Sequence, residues 1–449
     1  MKKTVSILMV LCMIALAFAG CASPAAVAAP AEATESATQP TDQAAQAAPA
    51  EKQVIRLMCG GAGYWESALD PVVAEYNASQ DKVQVVVDYY QYDALLSNVE
   101  VKFGAKSTDY DMVAVDAPLV AAYTTRGYII PLDSYFTADE INQFVPSEIK
   151  ASVWDGKFMA APMNNSSQLL WYNADLLKAA GLELPSTDPA KRLSWEQVEQ
   201  MAAAAQKAAD PDGSKGIMGI MFEQVDRAYQ MLALPNSFGA ASIGDDGFTV
   251  DGILNSDGWT KALEFYQGLY NSGVSARGVT AEEVAGFYTS GKVVFMVGAT
   301  WTIYGAEGAG LNYGYAPCPY FEGYQDKAAT STGSWHIGIS AFTDKADACA
   351  DFIKYITLGK GEAWNRAAGN VPSTLAGVAE VVAGDNPVMA IAAYEAEHTA
   401  VPRPVTPGYS EYESVINQLF ADVRNGADIA TAVDTAIQSI NTAFAKYKG

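Results

Sequence analysis

Apolar strands alternate with amphipathic helices through the first part of the folded chain. The run QVIRLMC ends in a glycine-rich turn, and ESALDPVVAEYNAS follows with Leu69, Val72, Val73 and Tyr76 at helical spacing. KVQVVVDYY predicts a second strand, YDALLSNVEVKFGA a second helix, and YDMVAVDAP a third strand that ends at Asp116. This alternation favours an α/β fold with a parallel sheet that is covered by helices on both faces.

The loops after these strands are the first candidates for a binding site. In open α/β sheets, ligands bind at the carboxyl ends of the strands, near a change in strand order. Tyr64 and Trp65 follow the first strand, and Asp116 ends the third. We therefore predict that these three residues lie on the rim of a cleft.

The second part of the chain continues the α/β pattern after Pro162. Ser194 with Gln197, and Thr280 with Glu283, have the spacing of helix capping boxes. GIMGIMF, KVVFMVG and WHIGIS predict buried strands, and the chain finishes with two helical stretches. Because single cores stop growing near roughly 250–300 residues, a folded part of this length predicts two lobes.

The N-terminus has the pattern of a lipoprotein signal peptide. Lys2 and Lys3 precede a short apolar run and a small-residue pair that ends at Cys21. We predict a signal peptide over 1–20 and lipidation of Cys21, with an ordinary signal peptide and a chance cysteine as the alternative. Residues 21–52 are rich in Ala, Pro, Thr and Gln, which predicts a disordered tether. The expected location is the extracytoplasmic face of the cell membrane.

The charge of the chain disfavours polyanionic partners. There are 28 Lys and Arg against 51 Asp and Glu. Loss of Lys2 and Lys3 with the signal peptide leaves 26 against 51, a net charge of about −25. Such a surface repels nucleic acid and anionic lipid, whereas neutral or cationic ligands stay possible. Contact with the membrane is expected through the lipid anchor alone.

No metal, cofactor or catalytic motif emerges from the sequence. Cys59, Cys318 and Cys349 have no CxxC spacing, and His336 and His398 are the only histidines, so we predict no metal site. The thiols are expected to be buried and free, although a bridge between the last two stays open. The CGGAG turn lacks the fingerprint of a dinucleotide or phosphate loop, and no GxSxG motif is present, so no cofactor is expected. A pair of glycosidase carboxylates stays open as an alternative, but with 51 acidic residues some pair occurs at any spacing, so the spacing alone is not evidence for it.

Several large aromatic residues stand at loop starts beside glycine rather than inside helical stripes. Such rings suit stacking against the flat apolar face of a sugar, whereas core packing is the alternative interpretation. His336, next to one of these rings, is a candidate rim donor. The candidate rings are Tyr64, Trp65, Trp301, Trp335, Tyr409 and Tyr412, while Trp154, Trp171, Trp195, Trp259 and Trp364 stand in runs that favour packing.

An ordered set of segments resembles one known family. DGKFMAAPMNNSSQLLWYNADLLKAAGLELP, LSWEQVEQMA, FYTSGKVVFMVGATW and DACADFIKYITLGKGEAWNRAAGNVPS occur in the family's order. Together with YDMVAVDAP they cover nearly all of 54–449. The sequence is similar to the extracellular solute-binding proteins of family 1, the receptor lipoproteins of carbohydrate ABC importers, which are related to maltose-binding protein.

The resemblance implies two α/β lobes that are joined by a multi-strand hinge, with the ligand in the cleft. Lobe 1 would hold 54–162 and 333–372, and lobe 2 would hold 163–318 and 377–449. Ser166 stands where the maltose receptor has an acidic sugar contact, which disfavours maltose itself. The positions that match ligand-facing ones are Tyr64, Trp65, Asp116, Asn165, Trp301 and Trp335.

The predicted function is that of a non-enzymatic receptor. It would capture a neutral sugar or polyol, close by hinge bending and dock as a monomer on the transmembrane subunits of an ABC permease. Two alternatives stay open: a receptor for an amino acid, peptide or quaternary amine, which aromatic loops would also suit, and a secreted glycoside-acting enzyme.

Overall fold

A computed structural model describes residues 52–63 and 65–447 of the chain. Tyr64, the signal peptide, Cys21 and nearly all of the predicted tether therefore lie outside the described residues. The strands are β1 (Gln53–Cys59), β2 (Val83–Tyr89), β3 (Met112–Asp116), β4 (Val153–Trp154), β5 (Lys157–Phe158), β6 (Ala161–Asn164), β7 (Gln168–Asn173), β8 (Met218–Phe222), β9 (Val293–Ala299), β10 (Tyr313–Ala316), β11 (Thr330–Ser331), β12 (Trp335–Ile339) and β13 (Ala400–Val401).

Helices connect and cover these strands. A π-helical turn, Tyr355–Gly359, joins two of them. The α-helices are α1 (Glu66–Ser79), α2 (Tyr92–Gly104), α3 (Val120–Thr125), α4 (Ala138–Ile141), α5 (Pro146–Ser152), α6 (Ala174–Ala179), α7 (Trp195–Ala209), α8 (Ala228–Met231), α9 (Ala233–Asn236), α10 (Asp257–Asn271), α11 (Ala281–Thr289), α12 (Thr302–Gly308), α13 (Ala346–Lys354), α14 (Gly361–Ala368), α15 (Leu375–Ala383), α16 (Pro387–His398), α17 (Tyr409–Arg424) and α18 (Ile429–Phe444).

The first sheet has the order β2-β1-β3-β12-β6. β1 pairs in parallel with β2 and β3, but β12 runs antiparallel to both β3 and β6. The parallel pairing predicted for the first three strands is therefore confirmed, whereas the complete sheet is mixed because β12 runs antiparallel. The cause is long-range, because β12 enters the sheet more than 200 residues after β3, as the chain returns from the second sheet. β1 lies between β2 and β3, the next two strands along the chain, so the strand order changes at β1.

The second sheet has the order β10-β7-β9-β8 and is also mixed. Alternation along β7 sends Leu170 and Tyr172 to one core and Leu169 and Trp171 to another. The first sheet likewise packs against separate clusters of apolar side chains on its two faces. The prediction that helices cover both faces is confirmed, and the two sheets establish an α/β fold with two lobes.

Short pairings occur where the chain passes between the two sheets. Asn165 pairs with Val371, Ser167 pairs with Thr332, and β11 pairs in parallel with β13. These contacts form the multi-strand hinge. The lobe boundaries expected from the resemblance stay a prediction. Within residues 52–63 and 65–447, no helix combines the length and apolarity needed to cross a membrane.

Several local predictions are confirmed. The capping boxes of α7 and α11 are present. Cys59, Cys318 and Cys349 are buried free thiols, so no bridge joins the last two. The five tryptophans assigned to packing all have ring partners or apolar neighbours, and Trp171, Trp195, Trp259 and Trp364 are almost fully buried.

The capping box of α7 gives a test of the local fold. Ser194 Oγ accepts from the Gln197 backbone N–H at 3.1 Å, and Gln197 Oε1 accepts from the Ser194 N–H at 2.9 Å. Ser194→Ala should lower the free energy of unfolding by about 1 kcal/mol, measured by urea titration. Thr137→Ala, in the capping box of the exposed four-residue α4, is the control and should have a smaller effect. Equal losses of stability in the two variants would contradict the view that the capping box of α7 contributes more to the fold than that of α4.

Candidate functional site

A cleft of about 1120 Å³ opens at the carboxyl ends of β1 and β3, where the strand order changes. Residues that end or follow strands of both sheets line it, so the cleft lies between the two sheets. The lining residues are Gly61, Trp65, Ser67, Gln91, Tyr92, Asp93, Asp116, Asn164, Ser166, Gln224, Arg227, Tyr229, Trp301, Gly333, Trp335, Ala367, Ala368, Gly369, Asn370, Arg403, Glu413 and Asn417.

An aromatic group forms the wall on the side of the first sheet. Trp335, at the start of β12, packs edge-to-face against Trp65 and Tyr92 with ring centroids 5.6 and 5.9 Å apart. Asn164 Oδ1 accepts from the Trp335 backbone N–H at 2.9 Å. Gly61 has φ +80°, and a Cβ there would lie 2.5 Å from the Trp65 ring. The glycine turn therefore lets the indole of Trp65 pack directly beneath Trp335.

A buried ion pair crosses the floor of the cleft. Arg403 Nη1 donates to Asp116 Oδ2 at 3.0 Å, and Nη2 donates to Oδ1. The Tyr92 hydroxyl also donates to Oδ2 at 3.0 Å. Asp116 ends β3 of the first sheet, whereas Arg403 lies between β13 and α17, flanked by Pro402 and Pro404, which restrict its backbone. The pair thus joins the two sides of the cleft.

Aromatic rings enclose the guanidinium of Arg403. Its Cζ lies 5.1 Å from the ring centroid of Tyr229 and 5.9 Å from that of Tyr409. Burial alone would lower the pKa of Arg403, but the charge of Asp116 raises it well above the ordinary value. The Tyr409 hydroxyl donates to Glu413 Oε1 at 3.1 Å, and burial raises the pKa of that carboxyl. The guanidinium therefore stays charged inside the protein, with both terminal nitrogens bonded to Asp116 and its faces covered by aromatic rings.

Trp301 provides an aromatic surface on the side of the second sheet. It follows β9, is 40% exposed, and its ring stacks with Tyr229 at a centroid distance of 6.4 Å and an interplanar angle of 21°. Its indole N–H donates to Glu223 Oε1 at 2.7 Å. The Tyr229 hydroxyl lies 3.3 Å from Ser166 Oγ, which donates to the Gly333 carbonyl at 2.7 Å. Hydrogen bonds thus hold both rings in place, that of Trp301 through Glu223 and that of Tyr229 through Ser166.

Comparison with protein families identifies the chain. Residues 72–391 match the family described as bacterial extracellular solute-binding protein, and this range is more than half of the chain. The chain belongs to this family. It is 24% identical over 375 residues to a probable ABC transporter-binding protein of Deinococcus radiodurans, covering 80% of this chain and 84% of that protein. It is also 24% identical over 408 residues to an sn-glycerol-3-phosphate-binding periplasmic protein of Brucella melitensis, covering 86% and 92%.

Solved structures share the fold of this solute-binding protein. A cyclic α-maltosyl-1,6-maltose binding protein from Arthrobacter globiformis gives a TM-score of 0.76 at 19% identity, covering 88% of this chain and 100% of that one. The GacH receptor of Streptomyces glaucescens gives 0.71 at 19% identity, covering 88% and 98%. The family places this protein outside the cytoplasm.

Four of the residues expected to contact ligand line the cleft: Trp65, Asp116, Trp301 and Trp335. Trp65 is only 1% exposed, so it mainly supports Trp335. Their contact with a ligand stays a prediction. The other candidate of the first loop, Tyr64, lies outside the described residues.

Two other candidates, Asn165 and His336, are placed away from the cleft surface. Asn165 is buried and does not line the cavity, whereas its neighbours Asn164 and Ser166 do, because successive side chains of an extended segment point to opposite sides. His336 is fully buried for the same reason, 3.8 Å from Glu148, and burial lowers its pKa to about 4. The structure therefore places no rim donor at His336.

Tyr409 and Tyr412 are also buried rather than exposed to a ligand. Tyr409 packs behind Arg403, and the Tyr412 hydroxyl donates to the Ser242 carbonyl at 2.7 Å. Both begin α17 and stabilise its first turn against the core. The segment RPVTPGYSEY contributes to the site through its arginine instead.

Sequence reasoning missed Tyr92, Tyr229 and Arg403. Tyr92 directly follows the loop after β2, which is a strand end of the kind already used to select Tyr64 and Asp116. Tyr229 and Arg403 carry no comparable local signal, because the first lies in a short helix and the second in an irregular proline-rich segment. Their importance comes from contacts between residues that are distant in the sequence.

The cleft is lined by hydrogen-bonding groups, and both arginines of the lining have carboxylate partners. Arg403 is neutralised by Asp116, and Arg227 pairs with Glu282 at 2.6 Å. Among the described residues, no three His, Cys, Asp or Glu side chains converge to hold a metal ion. The amide groups of Gln91, Asn164, Gln224 and Asn417 and the carboxyl groups of Asp93 and Glu413 also line the cleft.

The buried ion pair predicts a large asymmetry between single and double substitutions. Arg403→Met leaves Asp116 charged and buried without its cation, so the free energy of unfolding should fall by about 3–5 kcal/mol in urea titration. Asp116→Asn combined with Arg403→Met should recover part of that loss.

A solvent-exposed pair provides the control. Lys102 pairs with Asp109 at 2.7 Å, and both side chains are exposed, so Lys102→Met should leave the unfolding midpoint nearly unchanged. If Arg403→Met were no more damaging than Lys102→Met, the ion pair would not be the constraint described.

Proposed function

We propose that this solute-binding protein is a receptor that captures a neutral carbohydrate or polyol and delivers it to a membrane permease. The observation that carries the proposal is a pair of indole surfaces in one cavity: Trp335 starts β12 of the first sheet, and Trp301 follows β9 of the second. Sugars present flat apolar faces, and aromatic rings on two walls suit stacking against them.

The charges of the cleft support a neutral ligand. An anionic solute needs an available cation, but Arg403 is held by both oxygens of Asp116 and enclosed by Tyr229 and Tyr409. Breaking that pair would leave a buried carboxylate uncompensated, which is costly. Binding of a phosphate group at Arg403 is therefore disfavoured, although one relative is named for sn-glycerol-3-phosphate.

The size of the cleft favours a ligand of more than one sugar unit. Its volume, about 1120 Å³, slightly exceeds the roughly 300–1,000 Å³ typical of small-molecule sites. Structural neighbours include a cyclo/maltodextrin-binding protein complexed with maltotetraose and a receptor complexed with acarbose. These neighbours support a carbohydrate without specifying which one.

Hinge closure, lipid anchoring and delivery complete the proposal. Ligand contacts from both lobes can form together only when the lobes are close, so binding favours the closed population. Lipidation at Cys21 would keep the monomeric receptor beside its permease. Family membership supports a binding role rather than turnover of a glycoside.

A ligand screen by thermal unfolding tests this function. The purified protein is heated with mono-, di- and oligosaccharides, polyols, sn-glycerol 3-phosphate, amino acids and quaternary amines. A ligand at a hundred times its dissociation constant adds about 2.7 kcal/mol of stability, which raises the midpoint measurably. We expect a rise with at least one neutral carbohydrate or polyol.

Two variants connect that rise to the cleft. Trp335→Ala should abolish it at the same ligand concentration, because the stacking surface is lost. Trp154→Phe alters a half-buried indole that packs against Phe248 and does not line the cavity, so it should keep the rise. A rise only with phosphate, amine or amino acid would replace the carbohydrate proposal with the corresponding alternative.

A further inference from the structure

Glu223 is a buried acid directly behind the wall of the cleft. It follows β8, is 9% exposed and does not itself line the cavity. Oε1 accepts the indole N–H of Trp301 at 2.7 Å, and Oε2 accepts the backbone N–H of Ala299 at 3.2 Å. The Thr302 hydroxyl lies 3.5 Å from Oε1. One carboxyl group thus bridges the end of β9 to the first residues of α12.

The strands keep this carboxyl group in place. The Glu223 backbone N–H donates to the Val297 carbonyl at 2.9 Å, which continues the parallel pairing of β8 with β9. A Cβ at Gly298 would lie 2.8 Å from Thr302 Oγ1 and 3.3 Å from Glu223 Oε2. The absence of a side chain at Gly298 therefore makes room for the carboxyl group to reach the indole.

The bond decides which part of Trp301 a solute can meet. The indole has one hydrogen-bond donor, and Glu223 already accepts it. The ring is also stacked with Tyr229, which lies against the guanidinium of Arg403. Glu223 thus bonds to one end of a series of packed side chains, which runs from Trp301 through Tyr229 and Arg403 to Asp116.

We propose that Glu223 is a positioning residue for solute binding, which orients Trp301 so that its ring surface, and not its N–H group, meets the solute. The proposal rests on the carbohydrate-binding function above and deepens it. It implies that recognition at Trp301 depends on the shape and apolarity of a ligand face. Glu223 has no direct contact with the solute in this account.

The protonation state of Glu223 gives the interaction a measurable signature. Burial raises the pKa of this carboxyl to about 7, and the bonds from Ala299, Trp301 and Thr302 oppose the rise. The phenol of Tyr229 is the titratable group that faces it. Among the described residues, no charged side chain contributes to the shift of Glu223. The ionised form accepts the indole N–H more strongly than the acid form, so the bond to Trp301 tightens as pH rises through about 7.

Fluorine NMR of the ligand-free protein labelled with 5-fluorotryptophan tests the contact directly. The chain has eight tryptophans, and Trp301→Phe identifies the resonance of Trp301. In the wild type this resonance should move with a midpoint near pH 7. In Glu223→Gln the movement should disappear. Glu307→Gln removes an exposed carboxyl group on α12, the helix that follows Trp301, and should leave the movement of the resonance unchanged.

Affinity for a carbohydrate identified in the ligand screen provides the second measurement. Glu223→Ala should weaken binding tenfold or more, whereas Glu223→Gln, which keeps an acceptor for the indole, should stay within threefold of the wild type. A pH midpoint that persists in Glu223→Gln, or no movement between pH 5 and 9, would overturn the proposal. Because the NMR titration uses no ligand, its outcome is independent of whether the carbohydrate proposal holds.

Discussion

The arrangement of the cleft depends on the buried pair of Asp116 and Arg403. A carboxylate at the end of a central strand and a guanidinium in a proline-flanked segment meet with little access to water. Each charge is tolerable inside the protein only because the other is present. The cost of separating them fixes the position of the segment that follows β13 relative to the first sheet. Tyr92, Tyr229 and Tyr409 complete the enclosure by hydrogen bonding or ring contact.

This pair also determines what the cleft can recognise. With Arg403 paired to Asp116, the cleft presents aromatic surfaces, amides, hydroxyls and the side chains of Asp93, Arg227 and Glu413 to a solute. The proposed carbohydrate matches the aromatic and hydrogen-bonding part of that lining. The layered contact from Trp301 through Tyr229 to Arg403 means that the wall and the floor are positioned by one connected set of side chains. The orienting role of Glu223 follows from the same set of contacts.

The sequence was sufficient to predict most of the local structure. Strand and helix positions followed from periodicity, and the capping boxes of α7 and α11 followed from a spacing of three residues. Trp301 and Trp335 stood out because each starts or follows a buried strand beside glycine. Such features depend on neighbours in the sequence, so a single sequence displays them.

The remainder depends on contacts between distant segments. The direction of β12 is set by where the chain re-enters the first sheet, and the orientation of Asn165 and His336 by which side of an extended segment faces the core. Arg403 gained its role from Asp116, 287 residues away. Pattern reasoning within short windows has no access to such pairings, although a resemblance to a known family predicted the two-lobe fold.

A crystal structure of the protein grown with sn-glycerol 3-phosphate and with a carbohydrate that raises its unfolding midpoint would test the central claim most directly. We expect carbohydrate in the cleft, with sugar rings against Trp335 and Trp301, and the pair of Asp116 with Arg403 intact. Phosphate bound to Arg403, with Asp116 displaced from it, would contradict the account.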